Sequence, residues 1–204
     1  MGDKPIIGLI GGIGSGKSRV AVEFARHGGA IVSGDHLGHQ ALLRPDVRAQ
    51  VVDRWSTGVL GSDGQIDRRQ LGALVFADVG QLRALEAIVL PWIERGIIEQ
   101  IAAAQADPAV RLVVLDAAIL LEAGWNRFCS RIVYVDAPPE LRLARLAQQR
   151  GWSDKEVQAR TRAQLSLTDK ANRADAAIDN SGSPDDLARQ VARLLSNWGI
   201  PVAT

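Results

Sequence analysis

Residues 11–18, Gly11-Gly12-Ile13-Gly14-Ser15-Gly16-Lys17-Ser18, restrict what this chain can become more than any other stretch. They fit the spacing G-x-x-x-x-G-K-S in full, and their flanks supply the required setting. An apolar run, Ile6–Ile10, reads as a buried strand leading into the glycines. Lys17–Arg26 reads as a helix with Val20 and Phe24 on its apolar face. Glycines let the backbone wrap closely around a phosphate with several N–H groups turned inward. The helix that opens at the loop aims the positive end of its dipole at the same anion. Lys17 adds a point charge for the β- and γ-phosphates, and the Ser18 hydroxyl can ligate Mg²⁺. A dinucleotide site of the GxGxxG kind fits poorly, because Gly12 and Gly14 would need a third small residue where Lys17 stands. The loop therefore points to ATP with Mg²⁺.

Further apolar runs lie at Ala30–Ser33, Arg111–Leu115, Arg131–Val135 and Ala176–Ile178, with helical patterns between them. Short strands separated by helices predict a parallel sheet with right-handed crossovers. The expected fold is α/β, a P-loop NTPase-type five-stranded parallel sheet flanked by helices. Residues 36–106 break the rhythm. They hold only helical patterns and one turn-rich link, Thr57–Asp67, and read as an inserted helical unit for an acceptor substrate. Residues 138–169 form a second helical piece rich in arginine, a candidate lid. The core of a single domain then comprises residues 1–35, 107–137 and 170–204. Ser183 is placed to cap the last helix, with Pro184 at its first position.

At 47% hydrophobic residues, the chain of 204 can bury a sizeable core. Its net charge of +1 gives no field toward nucleic acid, and no nucleic-acid or membrane partner is expected. No apolar run approaches the roughly 20 residues of a membrane span. The single cysteine, Cys129, excludes an intrachain disulfide framework and agrees with a cytoplasmic protein. A monomer or weak homo-oligomer is the expected state.

Phosphoryl transfer needs a metal, charge neutralisation and an aligned nucleophile more than it needs covalent chemistry. Asp35 follows the second strand on the sheet edge where ligands bind, and could accept the proton of an acceptor hydroxyl or cap the helix beginning near His36. Asp116 ends the third apolar run, where an acid can reach Mg²⁺; Glu122 is a weaker candidate. Arg142, Arg145 and Arg150 follow the fourth strand on a helix that can close over ATP, and one of them is expected to neutralise the moving phosphoryl group. His27, His36 and His39 lack the partners of a metal site. The five tryptophans are scattered and read as packing residues.

With these residues placed, the chain resembles the dephospho-coenzyme A kinase family over nearly its whole length. The resemblance starts at Ile7-Gly8-Leu9-Ile10 and the loop through Ser18, with Val20-Ala21 after it. It continues through Asp35, the stretch Gly64-Gln65-Ile66-Asp67-Arg68 with Leu71, Val75-Phe76 and Asp78, and Leu82, Leu85-Glu86-Ala87-Ile88 and Pro91. It closes with Asp116, Leu120-Leu121-Glu122, Arg162-Ala163-Gln164, Lys170, Ala174-Asp175 and Asp179-Asn180-Ser181-Gly182. The resemblance implies phosphorylation of the ribose 3′-hydroxyl of dephospho-CoA by ATP and Mg²⁺, giving coenzyme A. It implies Asp35 as base, with Lys17 and Arg145 or Arg150 acting on phosphate. It also implies Gly11, Gly12, Ile13, Gly14, Ser15, Gly16, Lys17, Ser18 and Arg19 around the nucleotide, and Ser18 with Asp116 at the metal. The chain departs from the family at Ile10 and Arg19, each in place of threonine, at Leu90 for histidine and at Ala118 for proline. Gln149-Arg150-Gly151 stands where Arg-Asp-Gly is usual. Another nucleoside or nucleotide kinase, or a module that binds ATP without transferring phosphate, remain the alternatives.

Overall fold

The computed structural model describes residues 4–150 and 152–203, the side chains of Gln149 and Arg150 excepted. Five strands, β1 (Ile6–Gly11), β2 (Gly29–Ser33), β3 (Leu112–Asp116), β4 (Arg131–Asp136) and β5 (Ala176–Asp179), form one sheet in the order β2-β3-β1-β4-β5. Every pairing is parallel. The chain leaves β1 toward β2 and β3 on one side and later toward β4 and β5 on the other. The carboxyl end of β1 is therefore the switch point, where open parallel sheets place their ligands.

The expected strands are present, and most run one residue further than their apolar runs. Ser33 still pairs with Asp116, and Asp136 with Asp179. Backbone pairing continues for as long as the neighbouring strand does, whatever the polarity of the last side chain, so Asp116 sits on the sheet and not in a turn after it.

Alternation along the strands divides the core into two layers. Ile7 and Leu9 of β1, Leu112 and Val114 of β3, and Val133 and Val135 of β4 pack on α1 (Lys17–Arg26) through Val20 and Phe24. The final helix of the chain covers the same face through Leu187, Val191 and Leu195. Each fully buried side chain of this kind contributes about 1.5–3 kcal/mol. Ile10, Val113, Leu115, Ile132 and Tyr134 face the other way, against Leu37, Ala41, Ile93, Ile97 and the fully buried Trp125.

Between β2 and β3 lie α2 (Gly34–Leu43), α3 (Pro45–Trp55), α4 (Arg68–Val75) and the 28-residue α5 (Val79–Ala106). These helices enclose a small core of their own: Val47, Val51, Val59, Ile66, Leu71 and Val75. Three helices, α6 (Pro139–Arg150), α7 (Asp154–Arg162) and α8 (Leu167–Asn172), occupy the region read as one arginine-rich piece. The break has a local cause, because Ser153 and Ser166 each accept a backbone N–H and start a new helix. The last helix, α9 (Pro184–Asn197), begins as expected, with Ser183 as its cap and Pro184 in its first turn. Among the described residues no helix is long and apolar enough to cross a membrane.

Candidate active site

The glycine loop leaves β1 at the switch point and turns into α1 at Gly16, whose φ of +85° lies in the left-handed region that glycine enters without strain. Its shape is held from outside. Arg145 Nη1 donates to the carbonyls of Ser15 (3.1 Å) and Gly14 (3.5 Å), while Nη2 donates to Asn180 O at 2.8 Å. The Asn180 side-chain amide donates to the carbonyls of Ser15 (2.8 Å) and Gly16 (3.4 Å). A peptide unit is planar and trans, so a carbonyl fixed outward turns the following N–H inward. The braces on Ser15 and Gly16 thus aim the amides of Gly16 and Lys17 at the cup.

Arg142, three residues before Arg145 on α6, lies over Gly12. A Cβ on Gly12 would stand 2.2 Å from Arg142 Nη1, so a larger residue there would have to displace that guanidinium. Two buried polar atoms beside the loop, Ser15 Oγ and Arg142 Nε, have no protein partner. Both can donate a hydrogen bond to an anion, which suits a bound phosphate chain.

Lys17 opens α1. Protein atoms crowd its half-exposed side chain, and burial pushes its ammonium below the usual lysine range against the opposing pull of Asp116 and Asp35. Next to it Ser18 Oγ donates to Asp116 Oδ2 at 2.7 Å. Burial raises the Asp116 carboxyl above its ordinary value, although the Ser18 hydroxyl and the Lys17 charge draw it down. Serine hydroxyl and carboxylate oxygens side by side are hard donors of the kind Mg²⁺ takes. Among the described residues no group of three or more His, Cys, Asp or Glu could hold a metal by itself.

Asp35 stands exposed in the first turn of α2, and its Oδ1 accepts from the Ala118 amide at 3.3 Å, just past Asp116. It does not cap the helix. Ser33 does, its Oγ accepting from His36 N at 3.2 Å, because α2 begins at Gly34, two residues before His36. The Asp35 carboxylate is thereby left to face the site.

The residues expected from the sequence therefore gather at one edge: Lys17, Ser18, Asp35 and Asp116, with Arg145 behind the loop. Gly11, Ile13 and Gly14 complete the turn. Arg19 points to solvent, and its charge, after burial, helps hold the Arg145 guanidinium below its ordinary value. The side chain of Arg150 lies outside the described residues.

Two features escaped the sequence reading. The first is the bracing role of Asn180, which the sequence shows only as part of the closing Asp179-Asn180-Ser181-Gly182 stretch. The second is Lys170, almost wholly buried, whose Nζ lies 3.0 Å from Glu122 Oε1 and 2.8 Å from Gln164 Oε1. Glu122 Oε1 also accepts from the Leu165 amide at 2.8 Å, which fixes the segment leading into α8.

Comparison with known proteins agrees with this geometry. A family model described as dephospho-CoA kinase matches residues 5–186. A dephospho-CoA kinase from Symbiobacterium thermophilum is 43% identical over 191 residues, 91% of this chain and 78% of that protein. A crystal structure from Thermus thermophilus shares 36% identity and superposes with a TM-score of 0.79 over 96% of this chain and 98% of its own. A dephospho-CoA kinase from Campylobacter jejuni, at 23% identity, shares the fold with a TM-score of 0.66 over 95% of this chain and 96% of its own. A family match that runs from the first strand into the last helix, across the entire sheet and every residue of the loop, makes this chain a member of the dephospho-CoA kinase family.

Proposed function

We propose that the chain transfers the γ-phosphoryl group of ATP to the ribose 3′-hydroxyl of dephospho-CoA, giving coenzyme A and ADP. The observation that carries this reading is the meeting of the Lys17 ammonium, the Ser18–Asp116 pair and the Asp35 carboxylate at the carboxyl ends of β1, β2 and β3. A phosphate donor, a metal and a base each have a residue there, and the base stands on the side of the inserted helices.

In this mechanism the loop amides and Lys17 hold the β- and γ-phosphates. Ser18 and Asp116 would hold Mg²⁺, which neutralises phosphate charge when bound. Asp35 orients the acceptor hydroxyl and takes its proton as the oxygen–phosphorus bond forms and the bond from the γ-phosphorus to the bridging oxygen of ADP breaks. Arg142 neutralises charge on the transferred group beside Gly12, and Arg145 holds the loop in shape through the carbonyls of Gly14 and Ser15. Helices α2–α5 hold the acceptor, and α6–α8 form the lid.

A coupled assay of ADP release with ATP, Mg²⁺ and dephospho-CoA tests the reading. Lys17→Ala and Asp35→Asn should each lower turnover by about two to four orders of magnitude without loss of fold. Turnover at native rate in Asp35→Asn would remove that carboxylate from the mechanism. A panel of nucleoside and nucleotide acceptors, each turned over better than dephospho-CoA, would overturn the choice of acceptor.

A further inference from the structure

Helix α7 is anchored in an unusual way. None of its residues is buried, so no apolar face docks it on the sheet. Its two flanks are fixed to the core, on one side by Arg145 on the loop carbonyls and on the other by Leu165 and Lys170 on Glu122. Between those anchors the helix rests on α4. The guanidinium of Arg160 lies 4.2 Å from the ring of Phe76, just past α4, and 4.2 Å from the ring of Trp152, just before α7. The backbone of α4 makes room for it at Gly72, where a Cβ would stand 3.0 Å from Arg160 Nη2. Arg69 of α4 adds charge. The Ser153 cap first, and then the charges of Arg69 and Arg160, hold the Glu156 carboxyl of α7 below the usual range. A guanidinium set against two aromatic faces is attracted by both rings, and here it spans from α7 to the segment after α4.

We propose that Arg160 is a positioning residue that joins the lid to the acceptor-binding helices, so that binding of nucleotide and acceptor reinforce each other. The proposal rests on the reading of α2–α5 as the acceptor side and α6–α8 as the lid. The Phe76 ring packs with the small core of α3 and α4 around Val51, Leu71 and Val75. An acceptor that settles that core fixes the ring, and the ring fixes α7. The lid then closes over ATP with less ordering left to do, and by linkage bound ATP tightens the acceptor by the same factor.

The test is calorimetric titration of native enzyme with Mg²⁺ and a non-hydrolysable ATP analogue, in the absence and presence of saturating dephospho-CoA. Native enzyme should bind the analogue about fivefold more tightly, or better, when the acceptor is present. In Arg160→Ala that ratio should fall below about twofold, with affinity for the analogue alone nearly native and kcat reduced more than either KM. Phe76→Leu should have the same effect from the other side. Arg160→Lys, which keeps the charge but loses the flat guanidinium, should not restore the ratio. Melting temperatures within about 5 °C of native would show that the variants fold. A native ratio near one, or a ratio that survives both Arg160→Ala and Phe76→Leu, overturns the proposal. If native enzyme neither binds nor phosphorylates dephospho-CoA, the acceptor assignment fails instead, and the two failures are distinguishable.

Discussion

Lys170→Met keeps the length of a buried side chain and deletes its charge. In the native protein the ammonium lies 3.0 Å from Glu122 Oε1 and 2.8 Å from Gln164 Oε1. The carboxylate it faces is itself mostly enclosed, and its other oxygen, Oε2, is buried with no partner. After the substitution Glu122 keeps one local donor, the Leu165 amide, and no counter-charge among the atoms that now hold it. Leaving one member of a buried pair behind costs about 3–5 kcal/mol. At about 2–4 °C per kcal/mol for a domain of this size, the melting temperature should fall by roughly 6–20 °C. Replacing both partners, Lys170→Met with Glu122→Leu, removes the stranded charge and should return stability to within about 1 kcal/mol of native or above it. Urea unfolding of the ligand-free protein, followed by tryptophan fluorescence, gives both numbers. A loss below about 1 kcal/mol in the single variant, or a double variant worse than the single, would refute the reasoning that the pair matters because of what each charge leaves behind.

Three further outcomes follow from the same structure. Gly16→Ala forces a side chain into the left-handed region, at about 1–2 kcal/mol, and its Cβ would stand 2.3 Å from Asn180 Nδ2; both stability and ATP affinity should drop, as read by thermal melts with and without nucleotide. Burial pushes the Cys129 thiol up to about 12, so about one molecule in ten thousand carries the thiolate at pH 8. Iodoacetamide should therefore leave the folded protein unlabelled for hours and label it promptly in urea, as mass spectrometry would show. Burial, with the Glu122 charge adding to it and Arg83 opposing, raises the Glu86 carboxyl above its ordinary value of 4.5. A raised carboxyl contributes stability that is full below the unfolded value and is lost as pH climbs through the folded one. Glu86→Gln should thus flatten the decline in urea midpoint from pH 4.5 upward, and an unchanged slope would contradict the assignment.

Much of the fold was legible because its signals are local. The strand before the loop, the helix Lys17–Arg26 and the Ser183-Pro184 start of α9 are each written in a few adjacent residues. The same holds for the placement of Lys17 and Ser18 at the start of α1, which follows from the loop they close. Of the two roles open to Asp35, capping falls to a neighbour: the apolar run ends on Ser33, and that serine, three residues before His36, takes the amide. The braces on the loop were out of reach for a different reason. Arg145 meets Ser15 across 130 residues, and Asn180 meets it across 165. Arg145 reads as a candidate for the moving phosphoryl group and Asn180 as part of the closing pattern, and nothing local to either signals that it holds the loop. The partner of Lys170 was hidden in the same way, since a lysine among polar neighbours reads as solvated until the fold buries it.

The distance between the loop and its braces also bears on how the protein is made. Residues 11–18 leave the ribosome well before the groups that hold Ser15 and Gly16 in shape, since Arg145 follows Ser15 by 130 residues and Asn180 by 165. A nascent chain stalled before α6 carries every residue of the phosphate motif and lacks both braces that shape it. Such truncated chains should be poor at capturing nucleotide.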